Sequence, residues 1–190
     1  MKSGYSKTIT TLVIIIFMSI SSSPLYPAGK TVLKVGGKVL VEFKTGNMVN
    51  IKGEEFKYNR IKKNKRLKIV SEKGNEGVFV KRYGTKIRLR DLEGNLIHLI
   101  RKAGNYYKVK TVMGTELAVI KKENGKITVS NRESNSIYNV VPEQGNIVFK
   151  DKNGSTVFTL EGETNPFPAS FLALTPLSLL ERVACYLTYR

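Results

Sequence analysis

From residue 71 onward the apolar and polar positions recur every 20 residues. One half-repeat reads SEKGNEGVFV (71–80), DLEGNLIHLI (91–100), TVMGTELAVI (111–120), NRESNSIYNV (131–140) and DKNGSTVFTL (151–160). Its fourth position is Gly74, Gly94, Gly114, Ser134 and Gly154, and its tenth is Val80, Ile100, Ile120, Val140 and Leu160. The half-repeats between them read KRYGTKIRLR (81–90), RKAGNYYKVK (101–110), KKENGKITVS (121–130) and VPEQGNIVFK (141–150). No insertion breaks the register. A sustained period of this kind is the signature of one supersecondary unit used again and again.

Each decade starts with Gly, Asn, Asp or Ser, which tolerate left-handed backbone or build local turns, and ends in β-branched and aromatic residues. The expected unit is therefore a hairpin. Within a strand the alternation is clean. Ile87 and Leu89 fall on one face, Arg88 and Arg90 on the other; Tyr107 and Val109 oppose Lys108 and Lys110. Such a sheet has one dry and one wet side. Leu67-Lys68-Ile69 begins the pattern one step earlier, and weaker strands are expected around Val32–Val35, Lys38–Phe43 and Phe56–Tyr58, giving an all-β antiparallel meander of roughly twelve to fourteen strands over residues 29–165.

The pattern stops at Gly162. After Pro166 and Pro168, Thr175 is placed to cap a helix and Pro176 suits its first turn. The expected helix, Pro176 to Tyr189, is apolar nearly all round, so it must be buried. Residues 166–190 are thus read as a C-terminal helix packed into the same domain. The hairpins of the form Asp91-x-x-Gly94-x-x-Ile97 and Asp151-x-x-Gly154-x-x-Val157, followed by an apolar helix, resemble the tubby-like superfamily, which includes LURP-one-related proteins and phospholipid scramblases. The resemblance spans roughly residues 30–190. It implies a roughly 12-stranded barrel around a buried helix, and association with membranes or lipid. No binding residue of that family maps onto this chain.

Residues 1–28 follow another logic. Lys2 and Lys7 precede an apolar run from Ile9 to Ile20, and Ser21-Ser22-Ser23-Pro24 comes next. This is the order of a secretory signal peptide and its linker. An uncleaved N-terminal anchor is the alternative, and no cysteine at the junction suggests a lipoprotein. An exported chain, periplasmic or secreted, is expected. Its one cysteine, Cys185, allows no internal disulfide and reads as a buried apolar residue.

Charge changes the picture more than composition does. The formal net charge is +17, and +15 once Lys2 and Lys7 leave with the signal. That excess favours anionic partners. Lys81-Arg82, Arg101-Lys102 and Lys121-Lys122 occupy the same point of three successive repeats, which predicts a ladder along one rim. Arg88, Arg90, Lys108 and Lys110 add charge on the wet face. The expected function is a non-enzymatic binding module for anionic lipid or an envelope polymer, with nucleic acid disfavoured by export. The plain alternative for these cations is a solubilising surface that guards strand edges.

Other functions on the table are a structural or assembly protein with a protein partner, and a carrier of a hydrophobic ligand, which requires the C-terminal helix to lie outside the barrel. Catalytic chemistry has few candidates. His98 sits in the slot held by Val78, Ala118, Tyr138 and Phe158 and reads as a packing residue. One His and one Cys assemble no usual zinc site. Asp91 and Asp151 open equivalent turns and need no acid–base role. No phosphate loop or nucleophile elbow occurs, so no cofactor is expected.

Overall fold

In the computed structural model the described residues are 30–61, 66–132 and 135–190; the expected signal segment, 1–28, lies outside them. Fourteen antiparallel strands follow one another around a closed ring: β1 (Thr31–Val35), β2 (Lys38–Lys44), β3 (Met48–Ile51), β4 (Glu54–Ile61), β5 (Arg66–Ser71), β6 (Gly77–Tyr83), β7 (Lys86–Arg90), β8 (Leu96–Ala103), β9 (Tyr106–Thr111), β10 (Glu116–Glu123), β11 (Lys126–Asn131), β12 (Ser136–Glu143), β13 (Asn146–Lys150) and β14 (Thr156–Glu161). Each pairs with its sequence neighbour, and β1 closes the ring on β14 through Leu33 opposite Leu160.

The count is fourteen, at the top of the twelve to fourteen that the strand pattern implies and above the twelve of the tubby-like resemblance. The four-residue β3 went unread because Met48-Val49-Asn50-Ile51 is too short to show a period against its Gly-rich flanks, although Val49 and Ile51 are buried.

The 20-residue period and ring closure are linked. Register runs from Lys81 to Arg88 to Leu99, and from Arg101 to Lys108 to Val119. The residue directly across one hairpin is therefore 18 positions on, not 20. Each repeat is displaced by two residues along the strands. Accumulated stagger of this sort tilts strands by roughly 35–45° and lets a sheet close. Closure leaves no free edge.

The lower turns carry the repeat's first residue as a local acceptor. Asp91 Oδ1 accepts from the Asn95 amide at 2.8 Å, Thr111 Oγ1 from Thr115 at 3.1 Å, and Asp151 Oδ1 from Asn153 and Ser155 at 2.9 Å. Beside each of these three turns the strand pairing slips, with shifts at Leu89/Arg90, Glu116/Ala118 and Phe149/Lys150. The repeat with Ser134 in place of Gly behaves differently. Its pairing from Asn131–Ser136 onward is unbroken, and Asn135 takes the positive φ of 48°. Asn131 turns inward, 2% exposed, and donates to the Ala173 carbonyl at 3.0 Å.

That bond anchors what fills the ring. The chain leaves β14 at the mouth formed by the turns at 84–85, 104–105, 124–125 and 144–145, here called the upper mouth. It then forms α1 (Pro166–Ser170), capped by Asn165, and a 3₁₀ turn, Phe171–Ala173. The chain descends to the level of Asn131, reverses, and climbs back as α2 (Leu179–Tyr189). α1 lies against β11 and β12, α2 against β5 and β6. Phe171, Val183, Ala184, Cys185 and Tyr186 are fully buried in one cluster with Ile100, Ile120 and Phe149 of the wall. A helix with its side chains is roughly 10–12 Å across, and the ring holds α2 and the descending segment side by side.

Two expectations change. The helix begins at Leu179, not Pro176, because Ser178 outcompetes Thr175 as the cap. Its hydroxyl accepts from the Glu181 amide while Glu181 Oε2 accepts from the Ser178 amide at 2.8 Å, a reciprocal capping box. The carrier reading also loses its premise, since α2 is inside the ring. No described helix is long and apolar enough to cross a membrane. The barrel is apolar within and charged on the β5–β9 exterior, the reverse of a lipid-embedded one.

Candidate functional site: a cationic wall and a mouth

Strands β5 to β9 contain eleven Lys and Arg residues and not one Asp or Glu. Alternation along each strand sends Arg66, Lys68, Lys81, Lys86, Arg88, Arg90, Arg101, Lys108 and Lys110 to the outside. Barrel register then sorts them into rows. Arg66, Lys81 and Arg88 are direct cross-strand neighbours, and the row continues through Leu99 to Lys110. One step higher, Tyr83, Lys86, Arg101 and Lys108 form a second row. Directly opposed side chains stand about 4.5–5.5 Å apart at Cβ.

The six paired cations predicted from the repeat do not form a single ladder. Neighbours along a strand point to opposite faces, so each dipeptide divides. Lys81, Arg101 and Lys121 stay outside, climbing the barrel on the slant that the stagger imposes. Arg82, Lys102 and Lys122 point inward at the upper mouth. The other four predicted residues, Arg88, Arg90, Lys108 and Lys110, are on the wall as expected.

Their surroundings differ. Lys81 Nζ lies 4.2 Å from the Tyr83 ring centroid and the Arg88 guanidinium 5.4 Å from it, so the exposed Tyr83 is held between two cations. Lys81, with help from Arg66 and Arg88, holds the Tyr83 phenol below its ordinary range. Tyr106 has Lys121 at 5.7 Å. Lys108 pairs with Glu116 at 3.0 Å, Lys121 with Glu123 at 2.5 Å, and Arg90 donates to the Gly94 carbonyl. Burial pushes the Glu116 carboxyl up, but Lys108, Arg132 and Lys110 together hold it below the usual range. The wall's ion pairs to Glu116 and Glu123 thus lie at its β10 margin. Elsewhere signs alternate, as in Lys30–Glu42 at 2.7 Å and Lys44–Glu55.

At the upper mouth, Arg82 stacks on Tyr189 at 4.9 Å and Lys102 stands 5.9 Å from the centroid of Tyr107. Between the tips of β8–β9 and β10–β11 lies a cleft of about 430 Å³ lined by Lys102, Lys122, Asn105, Asn124, Tyr107 and Phe167.

Sequence reasoning missed one buried polar pair. His98 Nδ1 meets Glu181 Oε1 at 2.7 Å, tying the wall to the first turn of α2, with the side chains 16% and 7% exposed. Burial raises the Glu181 carboxyl, but the His98 bond and the Ser178 amide outweigh it and leave the group below its usual value. The two residues are 83 positions apart, and only the threading of α2 brings them together. Both carboxylate oxygens are engaged, which makes the pair a structural tie. Cys185 is wholly buried, and burial pushes its thiol up, away from the reactive thiolate. Among the described residues no group of His, Cys, Asp and Glu is arranged to hold a metal.

No family model matches the chain, and neither a curated protein nor a solved structure matches it.

Proposed function

We propose that this chain is an exported, non-catalytic binding module that engages a surface of closely spaced anions through the outer face of β5–β9. Such a surface is presented by acidic lipid headgroups or by an anionic envelope polymer. The observation that carries the reading is the set of like-charge neighbours. Arg66–Lys81–Arg88 and Lys86–Arg101–Lys108 place cations directly opposite one another with no acid on five consecutive strands. Such pairs destabilise a sheet, and a surface built only for solubility intersperses both signs. Two exposed tyrosines within the cationic field add amphipathic contact at a headgroup interface. Export is supported by the residue order at 1–28.

The test is sedimentation with anionic and neutral vesicles, and with a soluble polyanion, at low and high salt. Binding to anionic vesicles or polyanion alone, weakening as the Debye length shrinks from about 10 Å at 0.1 M towards 3 Å at 1 M, fits the proposal. Replacing Lys81, Arg88, Arg101 and Lys108 with Ala is expected to remove it. Binding that ignores salt, or its absence from both anionic arms, points instead to a protein partner and an assembly role.

A further inference from the structure

The cleft at the upper mouth has a composition unlike the wall. Two half-buried rings, Tyr107 and Phe167, line it, with centroids 5.1 Å apart and planes inclined by 48°. Two hairpin tips form its sides, contributing Asn105 and Asn124, whose amides each offer both donor and acceptor. The Asn124-Gly125 turn has φ of 49° and 76°, and Gly104 has φ of 59°. These values keep the tips tight and bare of bulky side chains. Lys102 and Lys122 supply two positive charges from the inward positions of equivalent strands. The volume of about 430 Å³ falls within the usual range of roughly 300–1,000 Å³ for small-molecule sites.

An aromatic pair, amides that serve either polarity and two ammonium groups, one of them over the Tyr107 ring, describe a particular ligand chemistry. A pyranose presents an apolar face to an aromatic ring and hydroxyls to amides. An attached phosphate or carboxylate supplies the negative charge. We infer that the cleft between the β8–β9 and β10–β11 tips is a binding site for a single phosphorylated or carboxylated sugar unit. The inference rests on the anion-binding reading for the charge of its ligand and adds the sugar to it. The wall holds the array, and the mouth reads one residue of it.

The experiment follows backbone amide chemical shifts of the protein during titration with glucose 1-phosphate, glucuronate, glucose and inorganic phosphate. Gly104, Asn105 and Gly125 are expected to shift together and to saturate with the two anionic sugars, with at least tenfold weaker response to glucose or phosphate. A Lys102→Ala, Lys122→Ala variant is expected to lose that response at least tenfold while still pelleting with anionic vesicles. The four-residue wall variant is expected to do the converse. Equal response to inorganic phosphate, or no saturable response at the tips to either anionic sugar, overturns the inference. Vesicle binding is scored separately, so failure of the wall and failure of the cleft are told apart.

Discussion

Gly77 shows how closely one residue is specified. The equivalent position elsewhere in the repeat is Ile97, Leu117, Ile137 or Val157. Here a Cβ would lie 2.6 Å from the Ile69 carbonyl oxygen and 2.7 Å from Leu92 Cδ2. Leu92 can move, but the backbone oxygen cannot yield without disturbing the β5–β6 ladder. Gly77→Ala is therefore expected to destabilise by about 1–3 kcal/mol, as overpacking does, read as a lower urea midpoint. Tyr83 offers a second test at this scale. Its phenol is depressed chiefly by Lys81, so its absorbance titration is expected to begin earlier than that of an ordinary tyrosine and to move up in Lys81→Ala. An unchanged titration in that variant would place Lys81 elsewhere in solution.

Elements were legible in proportion to their regularity. The hairpins from β5 onward follow from strict alternation and recurrent turn residues, and the inward set was read correctly down to Tyr107. What could not be read was anything created by closure. Neither the Asn131–Ala173 bond nor the His98–Glu181 pair has a local signal, because both depend on where α2 and its approach thread the ring. The division of Lys81-Arg82 and its equivalents was available from strand alternation alone, since adjacent residues in a strand never share a face. At the start of α2 the Ser178–Glu181 box has pH consequences. Glu181 has a folded value below its unfolded one, so its contribution is present above roughly pH 4.3 and is lost as pH falls through the lower folded value. Thermal melts of Glu181→Gln are expected to show a flatter acid limb than the parent. Ser178→Ala is expected to cost about 1 kcal/mol at neutral pH.

For the whole molecule, the far side of the pH scale is set by tyrosines on α2. Burial raises Tyr189 to about 12, opposed by Arg82, and raises Tyr186 further, where its hydroxyl donates to Glu163 at 2.7 Å. Both phenols ionise more readily in the unfolded chain, near pH 10. Stability is thus complete below about pH 10 and falls as pH climbs towards 12, a loss that denaturant midpoints between pH 8 and 12 will report. Phe at position 189 is expected to shallow the decline.

Nearly all strand contacts in this molecule are between sequence neighbours, and one is not. Thr31 accepts from Arg190 at 3.1 Å and donates to the Gly162 carbonyl at 3.3 Å, beside the β1–β14 seam. The strand that closes the ring, β14, and the segment that fills it both follow the other thirteen strands in the chain. Hairpins between sequence neighbours need only local contacts, but neither seam nor interior exists until residues 156–190 join them. The ring's unity therefore hangs on its contact of greatest sequence separation: without residues 156–190, thirteen paired strands have two open edges and nothing to enclose.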